Sequence, residues 1–220
     1  MKAILFLSLI GSLIAEELSM KDFVVQEKEQ HYWRVDEGEI VGGSATGQVA
    51  HNTFASSKKR YGNFELNLQV KIDVYESTNP NAGIQIRSER IIGHHEMIGY
   101  QADIGKNYWG KIYDESRRRK VVGDYLKPDV GKAVRKGWNN YLIRCEGPRI
   151  RIWLNGIQTV DFTEEDPKIP LEGLIALQAH SGKSFEARYR KITIRELPET
   201  KGITTWEKLG PEVLILPKRR

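Results

Sequence analysis

The chain has 220 residues, of which 40% are hydrophobic and 29% are charged, and its formal net charge is +5. This composition excludes a disordered chain and an integral membrane protein, and the length suits one sizeable domain. The positive charge is concentrated in Arg117–Lys120 and Lys218–Arg220. We interpret this as a mildly basic surface, with no nucleic acid as partner.

The N-terminus carries the pattern of an export signal. Lys2 precedes an apolar run from Ala3 to Ala15, and an acidic stretch follows at once. The run is shorter than a membrane-spanning helix and fits the apolar region of a signal peptide. We therefore predict a signal peptide over residues 1–15, export to the periplasm or the extracellular space, and no membrane span in the mature chain. Cys145 is the single cysteine, which excludes a disulfide within the chain and predicts a small buried hydrophobe.

Alternation of apolar and polar residues dominates the rest of the chain. It is clearest in Phe64–Ile72, where every even position is apolar and every odd position is polar, as in a half-buried strand. Asn155-Gly156 is a two-residue hairpin signal. Eight further strands are predicted in chain order: Ala82–Ser88, Gly99–Ile104, Lys111–Tyr113, Trp138–Glu146, Ile150–Leu154, Ile157–Phe162, Leu171–Ala179 and Phe185–Glu196.

Many short strands without crossover helices predict an all-β fold, an antiparallel two-sheet jelly-roll sandwich. We assign residues 16–197 to this single domain and residues 198–220 to a C-terminal tail, with an exit linker over Glu199–Trp206. The glycine-rich stretch Gly42–Gly47 is predicted to be a loop.

The same alternation predicts which polar side chains point away from the core. With Ile84, Ile86, Tyr100, Ala102, Leu177 and Ala179 inside, the outward positions hold the polar residues Gln85, Arg87, Gln101, Asp103, Gln178 and His180. Such groups can bind a polyhydroxylated ligand through planar hydrogen bonds. Apolar platforms for a sugar ring are predicted at Tyr108, Trp109, Tyr113 and Trp153.

Familiar catalytic motifs are absent from the sequence. His94-His95-Glu96 lacks the second histidine of HExxH and is predicted to be a solvated loop pair. Asp114 and Glu115 are neighbours that face opposite ways on a strand, so they do not form a facing acid/base pair for glycoside hydrolysis. Arg117–Arg119, which follow them, are predicted to form a salt-bridged turn.

Five sequence blocks carry a family resemblance. They are YGNFELNLQVKI, NAGIQIRSE, GYQADIG with WGKIYDESRR, WNNYLIRCEGPRIRIWLNGIQTVDF, and GLIALQAHSG with ARYRKITIREL. In this order, over residues 33–197, they resemble the 3-keto-disaccharide hydrolase domain of exported bacterial proteins. The resemblance implies a concanavalin-like lectin/glucanase jelly roll and cleavage of glycosides already oxidised at C3.

A C3 ketone acidifies the C2 proton, so a base can remove it and the C1 substituent can leave by elimination, after which water adds. We expect the catalytic residues to be His180, Arg87 and Asp103, with His180 as the base and Arg87 or a divalent metal ion as the stabiliser of the oxyanion. A metal would be held by Asp103 and His180 with Glu89 or Glu65. Substrate contacts are expected from Gln85, Gln101, Tyr108, Trp109, Tyr113, Trp153 and Gln178.

Two other functions remain compatible with the sequence. The first is a non-catalytic carbohydrate-binding module that uses the same concave face. The second is a cell-surface interaction domain whose basic end, Lys218–Arg220, contacts an anionic polymer. The sequence does not name the sugar, the leaving group or the oligomeric state.

Overall fold

The structure is a computed structural model that describes residues 14–123, 126 and 130–215. Apart from its last two residues, the predicted signal peptide lies outside the described residues, as does Lys218–Arg220. The described part of the chain forms two antiparallel sheets that share one apolar core, which confirms the predicted all-β sandwich.

The described residues form fifteen strands. In chain order they are β1 Glu16–Leu18, β2 Phe23–Val25, β3 Trp33–Asp36, β4 Glu39–Ser44, β5 Thr53–Tyr61, β6 Phe64–Val74, β7 Asn81–Arg90, β8 Met97–Gly105, β9 Ile112–Glu115, β10 Lys120–Val122, β11 Asn139–Glu146, β12 Arg149–Leu154, β13 Ile157–Thr163, β14 Gly173–Ala179 and β15 Phe185–Glu196. The α-helical turns are α1 Val130–Ala133 and α2 Trp206–Leu209, and 3-10 turns cover Met20–Asp22, Glu27–Tyr32 and Pro211–Leu214.

The first sheet has the order β13-β12-β11-β6-β15-β4-β3, with β1 also paired to β15. The second sheet has the order β10-β9-β8-β7-β14-β5-β2. All nine strands predicted from the sequence are present, and their ends differ from the predicted ones by at most two residues. Strand ends are the least determined part of such a prediction because they depend on the partner strand.

Six of the fifteen described strands, β1 to β5 and β10, were not predicted from the sequence. β5 contains the run Ser56–Lys59, which lacks apolar alternation, yet β2 and β14 pair with it on both sides. β4 includes Gly42 and Gly43, which were predicted to lie in a loop. A Cβ atom on Gly42 would lie 2.7 Å from the Trp33 ring, so the glycine allows this ring to lie flat against β4. The prediction of a loop at Gly42–Ser44 is therefore wrong, because tertiary contact outweighs the low strand propensity of glycine.

The core lies between the two sheets and follows the predicted alternation. In β6 the buried side chains are those of Phe64, Leu66, Leu68 and Val70, and in β8 they include Tyr100, Ala102 and Ile104. Full burial of a large apolar side chain contributes roughly 1.5–3 kcal/mol to folding. Cys145 is also fully buried in this core, as predicted.

Two tyrosines of the first sheet reach across the core to the second. The Tyr141 hydroxyl donates to the Asp103 carbonyl oxygen at 2.6 Å and accepts from the Gly110 amide at 2.9 Å. The Tyr189 hydroxyl donates to the Gln178 carbonyl oxygen at 2.6 Å. These bonds fix the backbone of β8 and β14 against the opposite sheet.

The C-terminal segment is part of the fold rather than a free linker. Trp206 is buried in an apolar cluster with Ile91 and Ile98, and Leu209 and Leu214 pack against it. Its indole nitrogen donates to the Arg87 carbonyl oxygen at 3.1 Å. No helix among the described residues is long and apolar enough to span a bilayer.

The cross-core hydrogen bonds should be measurable as stability. We expect Y141F and Y189F each to lower the free energy of unfolding by about 1–3 kcal/mol, because each removes a buried hydroxyl that donates to a backbone carbonyl across the core while the ring stays in place. Urea denaturation followed by tryptophan fluorescence measures this change. Y75F is the control: the Tyr75 side chain is half exposed and its hydroxyl bond to Glu186 is long, at 3.4 Å. Equal stability of all three variants would contradict the assignment.

Candidate active site

A polar pocket of about 310 Å³ opens on the outer face of the second sheet. Its walls consist of amide, carboxyl, phenol and imidazole groups. They come from Asn52, Asn79, Asn81, Gln101, Asp103, Tyr108, Tyr113, Glu115 and His180. The sequence analysis named five of these nine residues as site residues, so the alternation of the strands located the pocket.

The strand register brings these residues together. Gln101 on β8 pairs with Tyr113 on β9, and Asp103 on β8 pairs with Gly83 on β7. Successive side chains on a strand alternate between faces, so Gln101 and Asp103 share the outer face while their neighbours enter the core. His180 directly follows β14 and its amide donates to the Asn81 carbonyl oxygen at 3.2 Å.

Asp103 is the most buried acid of the pocket, with 4% of its surface exposed. Burial raises the pKa of its carboxyl from 3.8 to about 7, and the nearby charge of Glu115 adds to the rise. A hydrogen bond from Gln101 and the charge of Lys111 act in the opposite direction. A carboxyl that titrates near neutral pH can take or give a proton under physiological conditions.

The side-chain amide of Gln101 touches this carboxyl directly. Its Nε2 donates to Asp103 Oδ1 at 2.6 Å. Gln85 lies behind it and donates to Gln101 Oε1 at 2.8 Å. Gln85 is fully buried, so it supports the pocket from below and does not line it.

A backbone contact fixes the ring orientation of His180, which lines the pocket. Its Nδ1 lies 2.9 Å from the Ser181 carbonyl oxygen, which can only accept, so Nδ1 carries a proton. In the neutral form of the ring the free lone pair is then on Nε2. Asn52 holds Ser181, the residue after His180, because Asn52 Oδ1 accepts from the Ser181 amide at 2.9 Å.

Glu115 is a pocket residue that the sequence analysis missed. Asp114 and Glu115 do face opposite ways, as predicted: Asp114 is fully buried and pairs with Arg117 and Arg118 in the predicted salt-bridged turn. Glu115 instead shares the pocket face with Tyr113, two residues earlier. The signal was available, because a residue two positions from a predicted binding residue on the same strand lies on the same face. Burial raises the pKa of Glu115, while the Ser116 amide, His180 and Arg119 oppose this rise.

The histidine pair of the sequence analysis lies close to this pocket. The His94 and His95 rings stack with centroids 4.1 Å apart, and the centroid of the His51 ring lies 4.4 Å from that of the His95 ring. The two histidines are therefore not freely solvated, which differs from the solvated loop pair that the sequence predicted. The side chain of Asn52, a pocket residue, donates to Glu96 Oε1 at 3.0 Å. Burial raises the pKa of Glu96 to about 7.

The prediction that Arg87 faces the pocket is wrong. Its guanidinium donates to the carbonyl oxygens of Gly62 and Gly147, at 2.9 and 2.6 Å, and to Asn63 Oδ1 at 3.1 Å. The register of β7 shifts between Ile86 and Glu89, and Arg87 has a φ of 49°. This bulge reverses the alternation and turns the side chain away from the outer face.

The predicted metal ligands do not come together. Glu89, also beyond the bulge, pairs with Arg60 and lines a different depression with Trp206. Glu65 pairs with Arg144 and Arg195 on the first sheet. No group of three or more His, Cys, Asp or Glu side chains in the described part of the chain is arranged to hold a metal ion. The residues therefore do not fit the predicted divalent metal site.

Three predicted substrate contacts lie elsewhere. Trp109 packs against the core and stacks with Tyr141 at 6.3 Å between ring centroids. Trp153 lies on β12 of the first sheet under the Arg151 guanidinium. Gln178 is fully buried, and among the described residues neither its amide oxygen nor its nitrogen has a hydrogen-bond partner. Only Tyr108 and Tyr113 provide aromatic surface in the pocket.

Comparison with known proteins identifies the family of the chain. The sequence model of the 3-keto-alpha-glucoside-1,2-lyase-like domain matches residues 16–195, which is most of the chain. The chain belongs to this family. A search of curated proteins finds no match. The family assignment agrees with the resemblance found in the five sequence blocks, and the matched range contains every residue of the pocket.

Solved structures similar to this lyase-like domain show the same fold at low identity. A presumed glycosyl hydrolase from Parabacteroides distasonis is 21% identical over 84% of this chain and 100% of its own, with a TM-score of 0.58. Carbohydrate-binding module CBM66 from Bacillus subtilis is 16% identical over 74% and 91%, with a TM-score of 0.57. A legume lectin-like domain from Entamoeba histolytica is 16% identical over 81% and 92%, with a TM-score of 0.52. These likenesses confirm the lectin-like sandwich.

The buried Asp103 carboxyl of this lyase-like domain should lower the free energy of unfolding at high pH. The unfolded chain releases the Asp103 proton near pH 4 and the folded chain near pH 7, so between these values the folded state holds a proton that the unfolded state lacks. The contribution of this proton to the free energy of unfolding is fully present below pH 4 and is lost as the pH rises through 7. We therefore expect D103N to exceed the parent in free energy of unfolding by on the order of 3 kcal/mol at pH 8, and by little at pH 4.

Urea denaturation at the two pH values measures this difference. D161N is the matched control. Arg149 holds the pKa of the Asp161 carboxyl below its ordinary value, so this variant should lose a little stability at pH 8 rather than gain it. A D103N variant no more stable than the parent at pH 8 would contradict the raised pKa of Asp103.

Proposed function

We propose that the protein is a carbohydrate-active enzyme that cleaves glycosides oxidised at C3 of the sugar. The observation that carries the proposal is Asp103, a buried carboxyl with a pKa near 7 that lines one polar pocket together with His180. The membership of the lyase-like family supports the choice of reaction. Amide and phenol groups around the pair suit a polyhydroxylated ligand.

The reaction begins with removal of the C2 proton, which the neighbouring C3 ketone acidifies. The electron pair forms an enolate with its charge on the C3 oxygen. The enolate then returns to the ketone, a double bond forms between C1 and C2, and the C1–O bond to the leaving group breaks. The leaving oxygen takes a proton from an acid of the site, and water adds across the new double bond. No electrons are gained or lost, so the sequence needs no redox partner.

Asp103 and His180 divide the proton transfers. A base and an acid that work near neutral pH should both have pKa values close to it. Asp103 meets this condition, and the neutral form of His180, with its proton on Nδ1, has its free lone pair on Nε2. We assign removal of the C2 proton to one of these two residues, Asp103 or His180. The other residue returns a proton to the leaving oxygen. Glu115 raises the pKa of Asp103 through its charge.

Neutral donors take the place that Arg87 was expected to fill. The Tyr113 hydroxyl and the amides of Asn79 and Asn81 line the same pocket and can donate to the enolate oxygen. A hydrogen-bond donor aimed at the enolate oxygen stabilises its developing negative charge, as in an oxyanion hole.

Export remains part of the proposal. Lys2 and the apolar run Ala3–Ala15 fit a signal peptide, and the single cysteine is consistent with a fold that needs no disulfide. The substrate would then be met outside the cytoplasm.

A carbohydrate-binding module is the second candidate. The similar fold of CBM66 favours it, as do the many amides of the pocket. Under this alternative Asp103 and His180 would only bind sugar. The two candidates differ in turnover, which a binding module lacks.

Turnover of a 3-keto-glucoside by the purified protein tests the proposal. We expect the parent to release the aglycone, D103N to lose at least about a hundredfold in kcat/KM, and H180A to lose at least about tenfold, since general acid–base groups contribute about 10²–10⁴-fold. D161N on the far sheet should retain parental activity. Binding of the 3-keto-glucoside without release of its aglycone would support the binding module and contradict the enzyme.

A further inference from the structure

We propose that Ser88, Gln85 and Gln101 form a directional hydrogen-bond chain that positions Asp103 and holds its carboxylate in the form a base requires. The three residues are positioning residues, since only Gln101 reaches the pocket and none is assigned a proton transfer. The inference rests on the proposed function only for its kinetic part. The chain itself is read from the geometry of β7 and β8.

Three short bonds connect the chain to the pocket. The Ser88 hydroxyl donates to Gln85 Oε1 at 2.6 Å, Gln85 Nε2 donates to Gln101 Oε1 at 2.8 Å, and Gln101 Nε2 donates to Asp103 Oδ1 at 2.6 Å. All four residues are buried, with at most 4% of their surface exposed. Buried hydrogen bonds in series polarise one another, so the last donor gains from those behind it.

The direction of the hydrogen-bond chain follows from its carboxylate end. An ionised carboxylate only accepts, so Gln101 turns its NH₂ group to Asp103 and its oxygen to Gln85. Gln85 then turns its own NH₂ group to Gln101 and its oxygen to Ser88. The Ser88 hydroxyl, which also lies 3.0 and 3.3 Å from the carbonyl oxygens of Ile86 and Tyr100, completes this direction by donating to Gln85.

Two glycines make room for the chain. A Cβ atom on Gly83 would lie 2.3 Å from Gln101 Cδ, and one on Gly99 would lie 2.3 Å from Ser88 Oγ. Real Cβ atoms do not come this close to other atoms, so a side chain at either position would displace a member of the chain. The backbone of β7 and β8 is thus shaped around these side chains.

The bulge of β7 completes the arrangement. Gln85 and Ser88 are three positions apart, and a regular strand would send them to opposite faces. The register shift between Ile86 and Glu89, with Arg87 at positive φ, brings the Ser88 hydroxyl back to Gln85. The distortion that removes Arg87 from the pocket therefore builds the chain.

The chain should act on the protonation of Asp103. A donor aimed at the carboxylate favours the charged form and opposes the effect of burial. The other charged groups around Asp103 are Glu115 and Lys111, and His180 shares its pocket. None of these groups is altered when Ser88 or Gln85, at the far end of the hydrogen-bond chain, is substituted. Loss of Ser88 or Gln85 should then raise the pKa of Asp103.

The direct test is the pKa of Asp103 in the resting protein, measured by carbon-detected NMR titration of its carboxyl and assigned with D103N. We expect S88A and Q85L to raise this pKa by about half a unit to one unit. Q69L is the matched control: Gln69 hydrogen-bonds Asn140 and Arg190 on the outer face of the first sheet, and its loss should leave Asp103 unchanged. Unchanged Asp103 pKa values in S88A and Q85L, even with lower stability, would overturn the proposal.

Kinetics separate this inference from the proposed function. If Asp103 is the base, the acid limb of kcat/KM against pH should move with the measured pKa, giving up to about a tenfold loss at pH 6 in S88A and recovery at high pH. A shifted Asp103 pKa in a protein without turnover would keep the chain and reject the enzyme. Turnover with an unshifted Asp103 pKa in S88A would keep the enzyme and reject the chain.

Discussion

Two hydrogen bonds across the core support the site from behind. Tyr141 and Tyr189 extend from the first sheet and donate to the carbonyl oxygens of Asp103 and Gln178 on the second. A strand face can present polar groups with fixed geometry only if its backbone does not slide against the layer beneath it. The tyrosines supply this restraint with a buried hydroxyl that a phenylalanine lacks, and Tyr141 supplies it at the backbone of Asp103 itself.

Burial of polar groups is the feature that separates this face from an ordinary solvated sheet face. An unpartnered buried amide costs about 1–3 kcal/mol, and a buried carboxyl moves toward its neutral form. Gln178 with no partner among the described residues and Asp103 with a pKa near 7 both carry such a cost. A fold optimised for stability alone would replace these groups by apolar ones. Their presence together on one face of the second sheet, where Gly83 pairs with both, is consistent with selection for chemistry or ligand binding.

The bulge in β7 decides the composition of the site. Before it, alternation holds and Gln85 lies on the outer face; after it, Arg87 and Glu89 leave that face and Ser88 joins it. The predicted cationic oxyanion stabiliser and the predicted third metal ligand are both lost through this one irregularity. The site becomes one of carboxyl, imidazole and neutral donors. A single positive φ in a strand therefore changes the kind of chemistry that the pocket supports.

The sequence by itself determined the sandwich, nine of the fifteen described strands and the pocket face, because alternation is a local property that the chain records directly. It located Gln101, Asp103, Tyr108, Tyr113 and His180, and the same rule would have located Glu115. It did not determine the strand that contains Gly42, the position of Arg87 or the pKa of Asp103. These depend on the Trp33 ring, on a register shift between neighbouring strands and on the burial of one carboxyl. Each is a relation between segments distant in the chain, and only the tertiary structure brings such segments into contact.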